Sequence, residues 1–262
     1  MDEGLVEERI TKKTKAIIPV HIYGHPVKMD TIMEIAGKHK LTVIEDVAEA
    51  HGGMFKDKVL GSIGHMNCFS FYGNKIITTG EGGMVVTNDE KIAEKIRSLR
   101  NLAFGDRNRY LHTDLGYNFR MTNVQAAIGV AQMKNAEKFI KIKRDMASWY
   151  NKNLKSVKGL TLPVEMPWAK NVYWMYGIVL DDRFGMSKEK LMEELRERGI
   201  DSRSFFVPMH KQPVFHSHKL FENEKLPVSE YIGANGLYLP SGLNITKEQV
   251  EHVCKTIKEL AK

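Results

Sequence analysis

Two cysteines, Cys68 and Cys254, are all that the 262 residues contain. They lie far apart and form no Cys-x-x-Cys pair. A disulfide framework is excluded, and two reduced thiols in a cytoplasmic protein are expected. No stretch approaches the roughly 20 apolar residues of a membrane span, so no membrane partner is expected. The opening Met1-Asp2-Glu3-Gly4-Leu5 has no basic region followed by an apolar run, so no secretory signal is read there. Low-complexity linkers and internal repeats are absent. So are the HExxH motif and the GxGxxG and GxxxxGK[ST] phosphate loops; no metal is expected.

What is present fits a globular chain. Hydrophobic residues make up 42%, enough to build a core in one large domain or in a large and a small one. The net charge of +7 raises nucleic acid as a partner. The lysines, however, sit among glutamates, as in Lys188-Glu189-Lys190, which is the pattern of a solvated helix face. No aromatic-basic motif accompanies the charge, so nucleic acid is not expected.

The spacing predicts a short buried strand over 14–20 and a helix over 31–40 capped by Asp30, with Ile32, Ile35 and Ala36 on one face. A second strand follows over 41–45. Strand, helix and strand within about 30 residues make a βαβ unit, hence a parallel sheet in an α/β fold. Further strands are expected over 66–71 and 83–87, then a helix from Asn88-Asp89 to Leu99. One long helical stretch is read over 122–155. Later come a strand over 173–180, a helix capped by Ser187, a strand over 202–207 and a third ending at 238–240. Thr246 to Gln249 opens the last helix with a capping box. The reading is a large domain over 1–140 and a smaller α+β domain over 141–262, joined by a bridging helix. Trp168, Trp174, Tyr173 and Tyr176 are assigned to the small-domain core.

Two segments carry chemistry. In Ile44-Glu45-Asp46-Val47-Ala48-Glu49-Ala50-His51, a carboxylate stands just past a parallel strand, where α/β sheets bind ligands. A helix cap or a solvated turn explains such an acid equally well. In Phe69-Ser70-Phe71-Tyr72-Gly73-Asn74-Lys75, followed by Thr78-Thr79-Gly80-Glu81-Gly82-Gly83, a strand runs into a polar loop with one lysine and then a glycine-rich turn. A lysine whose charge is suppressed by its surroundings attacks aldehydes. An ordinary exposed lysine in a turn fits the same spacing.

Taken together these segments resemble the DegT/DnrJ/EryC1/StrS aminotransferases. The resemblance also runs through Thr14 to Gly24, Leu115 to Met121, Gln125-Ala126-Ala127, Ser202 to His210 and Leu239-Pro240-Ser241. It implies a fold of the aspartate aminotransferase type (fold type I) and pyridoxal 5'-phosphate (PLP) as cofactor. It also implies a nucleotide-sugar substrate, glutamate as amino donor and a homodimer with shared active sites. Lys75 corresponds to the lysine that binds the cofactor covalently. Asp46 corresponds to the carboxylate at the pyridine nitrogen, and Glu49 to a group near the phenolic oxygen. Ser70 and Asn118 correspond to phosphate ligands, Asn118 reaching a neighbouring subunit. Arg120 and His210 are candidates for substrate contact. Each has a plainer alternative: Ser70 satisfying backbone, Asn118 in a turn, Arg120 in an ion pair, His210 capping a loop. His51 is expected to pack beside the cofactor loop.

Family members carry a further large-domain segment before the position of Met1. The chain is therefore expected to have an incomplete sheet, to expose apolar surface, to aggregate and to bind PLP weakly or not at all. A non-catalytic fragment or assembly module is the alternative reading. Sugar 3-dehydration is a further alternative; relatives that perform it have histidine in place of the lysine, so Lys75 favours amino transfer.

Overall fold

A computed structural model describes residues 1–105 and 108–261. They form two compact units. The first takes Met1–Lys141 and Glu165–Trp174; the second takes Ile142–Val164 and the chain from Met175 on. In chain order the elements are β1 (Ala16–Ile17), α1 (Met29–His39), β2 (Thr42–Asp46), β3 (Met54–Phe55), β4 (Lys58–Val59) and β5 (Met66–Ser70). Next come β6 (Gly83–Val86), α2 (Glu90–Arg100), α3 (Asn123–Met133), α4 (Ala136–Leu154), β7 (Leu160–Thr161), β8 (Ala169–Lys170) and β9 (Tyr176–Leu180). The chain ends with α5 (Lys188–Glu197), β10 (Arg203–Ser204), α6 (Pro213–Ser217), α7 (Pro227–Asn235), β11 (Gly236–Leu239) and α8 (Lys247–Leu260).

In the first unit the main sheet has the order β1-β2-β5-β6. β1 and β5 both run parallel to β2, and β6 runs antiparallel to β5. The βαβ unit expected from the first 45 residues is therefore present. α1 forms because Met29, Ile32 and Ala36 recur on one face, and that face is fully buried. Burying each larger side chain contributes about 1.5–3 kcal/mol. Asp30 is not the cap: Lys28 holds that position, and Asp30 sits in the first turn. There its carboxylate favours the helix dipole, accepts the Thr31 N–H and meets Lys56 Nζ at 2.8 Å. β1 is shorter than expected because Pro19 has no N–H to give; pairing resumes at Val20 opposite Asp46.

A buried hydrogen-bonded pair ties this sheet to its loops. His21 Nε2 donates to Glu45 Oε2 at 3.2 Å, with both side chains wholly buried. Glu45 also accepts the N–H groups of Gly61, Ile63 and Gly64. Burial alone pushes the Glu45 carboxyl up. The His21 ring and the three N–H groups outweigh it and hold the group below the ordinary carboxylate value.

The second unit centres on an antiparallel sheet, β10-β11-β9-β7. Tyr150 of α4 stacks on Tyr176 of β9 at 4.5 Å, and its hydroxyl donates to the Pro240 carbonyl. Three expectations change. The 122–155 stretch is two helices, because the Asn135 amide donates to the Ala131 carbonyl and closes α3. The strand expected from 173 begins at Tyr176, because Tyr173 takes a left-handed φ of 49°. Of 202–207, only Arg203–Ser204 forms strand, and Phe205 adds one bond to Gly236.

Lys143 of α4 is buried and donates to the Ser241 carbonyl. Burial pushes its amine down to about 7. The unfolded chain therefore holds more protons than the folded one between that value and 10.5, the ordinary lysine value, so stability rises with pH across this window. Urea midpoints measured from pH 7 to 9 are expected to climb in the wild type. They are expected to climb less in Lys143→Met; equal slopes would refute the assignment.

Candidate functional site at the ends of the parallel strands

β2 ends at Asp46 and β5 at Ser70, with Asp46 in register beside Cys68. The strand end is fixed on both sides, since the Asp46 N–H donates to Pro19 O and its carbonyl accepts the His21 N–H. Asp46 Oδ1 accepts the Ala48 N–H at 3.0 Å. Burial, and then the Asp46 charge, raise the Cys68 thiol, so Cys68 is a neutral wall of the site.

Past β5 the chain turns, and the Lys75 N–H closes on the Tyr72 carbonyl at 3.0 Å. Ser70 Oγ accepts the Tyr72 N–H at 3.3 Å. The loop returns to Phe71, whose carbonyl accepts the Thr78 hydroxyl and the Thr79 N–H and whose N–H donates to the Gly82 carbonyl, while the Thr79 hydroxyl donates to the Glu81 carbonyl. Glycine is required at Gly82, where φ is 148° and a Cβ would meet Thr79 Oγ1 at 2.6 Å.

This turn delivers the Lys75 amine into a nearly closed position, with 11% of the side chain exposed. Glu49 Oε1 lies 3.9 Å from Nζ, and the Trp174 ring centroid lies 4.1 Å away. Glu49 Oε2 accepts the Tyr23 N–H at 2.7 Å. The Lys75 amine is lowered from the ordinary lysine value, by burial first, with Glu49 and Asp46 pulling it back. Burial raises Glu49, against the Tyr23 N–H and the Lys75 charge. His51 packs against Phe69 and Phe71 with ring centroids 5.7 and 5.8 Å away. It is buried, neither ring nitrogen has a hydrogen-bond partner among the described residues, and burial followed by the Lys75 charge pushes it down to about 4.

The structure thus brings Asp46, Glu49, Ser70 and Lys75 into one strand-end region. Asn118 and Arg120 lie on an exposed segment, joined by a 3.3 Å bond from Arg120 Nε to Asn118 Oδ1. Among the described residues no hydrogen bond or ion pair links them to Lys75. His210 belongs to the second unit. It is buried there, with Nε2 2.9 Å from Glu230 Oε1. The His210 ring, the Leu226 N–H and Lys211 hold the Glu230 carboxyl down to about 2.

Sequence reasoning misplaced the tryptophans. Trp168 packs on Phe55 and His25 in the first unit. Trp174 covers Lys75, and Tyr173 donates to Glu165; of the four aromatics only Tyr176 lies in the second unit. No local signal announces Trp174, which donates to a carbonyl 100 positions away in sequence. His21 and His25 also stand four apart, a spacing used by metal ligands. They flank a single 3-10 turn, Ile22–Gly24, rather than sharing a face of an α-helix. His21 is held by Glu45 and the Val27 N–H, and His25 by the Pro26 carbonyl and the Met166 N–H.

An amine lowered by burial, flanked by carboxylates at the carboxyl ends of parallel strands, defines an enzyme site for exchanging amines and carbonyls. The donor set fits PLP, with an amine for its aldehyde, a carboxylate for its ring nitrogen and a buried His51 ring with unused nitrogens. The model of the DegT/DnrJ/EryC1/StrS aminotransferase family matches residues 1–258. GDP-perosamine synthase of Escherichia coli O157:H7 is 42% identical over 97% of this chain and 68% of its own length. The solved structure of S. venezuelae DesV superimposes with a TM-score of 0.91 at 32% identity, covering 99% of this chain and 68% of that one. An E. coli GDP-4-keto-6-deoxy-D-mannose-3-dehydratase with bound hydrated PLP gives 0.88 at 25% identity, covering 98% and 71%. The chain belongs to the DegT/DnrJ/EryC1/StrS aminotransferase family, whose members depend on PLP.

Proposed function

We propose that the protein transfers an amino group, from glutamate, to the keto carbon of a nucleotide-linked 4-keto-6-deoxy sugar, as a GDP-perosamine synthase does. The substrate class is supported by the 42% identity to the E. coli enzyme of that name. The observation that carries the chemistry is the buried Lys75 amine between Glu49 and the Trp174 ring. The same reading makes the protein a cytoplasmic homodimer that supplies an amino sugar for lipopolysaccharide O-antigen. Among the described residues no helix is long and apolar enough to cross a membrane.

Lys75 would hold the cofactor through Nζ. When bound, PLP supplies an electron sink that acidifies the carbon–hydrogen bond next to the amine. Asp46 Oδ1 is engaged by the Ala48 N–H, which leaves Oδ2 to keep the ring nitrogen protonated. Ser70 Oγ accepts the Tyr72 N–H, so its own hydroxyl proton is left for a phosphate oxygen. Glu49, raised by burial, can share a proton with the phenolic oxygen. A free Lys75 Nζ would accept and return a proton at the substrate carbon; burial, which lowers the amine from the ordinary lysine value, favours that basic role. Asn118, Arg120 and His210 complete the reading as contacts to phosphate, across a subunit boundary for Asn118, and to substrate.

The test is incubation with excess PLP, glutamate and a GDP-linked 4-keto-6-deoxy sugar. Formation of the amino sugar with an equal amount of 2-oxoglutarate is expected. Formation of a 3-deoxy keto sugar with release of free ammonia, in place of the amino sugar, would point to 3-dehydration and overturn the proposal. Asp46→Asn is expected to lower the rate by about 10²–10³-fold, the usual loss when one preorganised electrostatic partner is removed, with the urea midpoint little changed. A variant as active as the wild type would remove Asp46 from the mechanism.

A further inference from the structure

Trp174 belongs to no motif that led to the site, yet three contacts join it to Lys75. The ring face lies 4.1 Å from Nζ. The indole N–H donates to the carbonyl of Asn74, the residue immediately before Lys75, at 2.8 Å. The ring also stacks with Tyr23, centroids 6.2 Å apart and planes 19° apart. Tyr23 in turn presents its N–H to Glu49. The ring itself is held in place, since only 4% of Trp174 is exposed. The preceding backbone is fixed too: the Val172 N–H bonds Gly24 O, and Asn171 Oδ1 accepts the Tyr173 N–H. At Gly24, φ is 99° and a Cβ would meet Val172 at 2.8 Å, so the Tyr23 turn and the 171–174 segment can close on each other only with glycine there.

We propose that Trp174 is a positioning residue for Lys75: its indole face walls the amine off from water, and its N–H, by holding the Asn74 carbonyl, fixes the direction from which the lysine enters the site. The role rests on the reading of Lys75 given above. An aromatic face beside an ammonium attracts the charge, whereas the same ring excludes the water that stabilises it. The lowered Lys75 amine has burial as its first cause, so the second effect prevails here. The other groups facing the amine are Glu49 and Asp46, which favour its charge, and His51, which is neutral over the tested range.

The experiment needs no cofactor, so it fails separately from the functional proposal. Lys75 in the full chain is acetylated with acetic anhydride across a pH series, and its peptide is quantified by mass spectrometry. The wild-type midpoint is expected below the ordinary value of 10.5. In Trp174→Ala water reaches the amine, and the midpoint is expected to rise by about one pH unit. In Trp174→Phe the ring face remains, and the midpoint is expected within about 0.3 unit of the wild type. Loss of the N–H bond in that variant should speed amide exchange over 72–75 about fivefold, the equivalent of one ordinary hydrogen bond. An unchanged or falling midpoint in Trp174→Ala, or unchanged exchange in Trp174→Phe, would overturn the role. A purely structural tryptophan would lower the urea midpoint in both variants without moving the Lys75 titration.

Discussion

Replacing Glu45 with alanine lowers the free energy of unfolding by several kcal/mol, since each buried donor left without its acceptor costs about 1–3 kcal/mol. The cause is local and countable. His21 Nε2 and the N–H groups of Gly61, Ile63 and Gly64 all converge on this carboxylate. Alanine strands every one of them away from water. The pH dependence follows from the direction of the Glu45 shift. Its folded value lies below the ordinary 4.5. The stabilisation is thus fully present above that value and is lost as pH falls through the depressed one. Wild-type urea midpoints are expected to drop on acidification below about pH 4.5, and those of Glu45→Ala to drop less. Equal midpoints for the two proteins at pH 7 would contradict the account.

Lys75→Ala is expected to lower the amino-transfer rate by at least about 10⁴-fold, because the proposed mechanism gives one side chain both the nucleophilic and the proton-transfer role. Its effect on folding runs the other way. The Lys75 amine is lowered by burial, so at neutral pH the folded state carries a desolvation penalty that the unfolded chain avoids. Linkage gives a penalty that is present below the folded value and relieved as pH rises through it toward the ordinary lysine value. Alanine removes that penalty, and the urea midpoint at pH 7 is expected to hold or rise. A loss of rate with an intact or firmer fold separates a chemical role from a structural one. A variant that keeps a tenth of the wild-type rate would exclude Lys75 from the chemistry.

The parts legible in the sequence were those whose cause is local. Ser187 and Thr246 cap helices because each side-chain oxygen meets a backbone N–H three residues on. The βαβ unit was legible because Ile32, Ile35 and Ala36 keep helical spacing while Val43 and Glu45 alternate with outward residues. Asp46 and Lys75 could each be placed on a strand end or a loop, but their convergence followed only from the family resemblance. It depends on the parallel pairing of β2 with β5, which brings residue 46 beside residue 68. What stayed hidden is long-range or conformational. The left-handed Tyr173 cut a strand short, the Asn135 side chain split a helix, and Trp174 crossed 100 positions to reach Asn74. Glu45 lay in plain sight beside Asp46, and its hidden role as a backbone anchor came from the loop 61–64 folding over it.

The central claim is that Lys75 is the residue that binds PLP. Borohydride makes the link permanent, so even a weakly held cofactor is captured and affinity does not cloud the result. The chain is mixed with PLP near neutral pH, reduced, digested and mapped by mass spectrometry. The account predicts that the label falls on the peptide containing Lys75 and that Lys75→Ala takes no comparable label at any other lysine. Label spread over surface lysines, or an equal yield in Lys75→Ala, would contradict it.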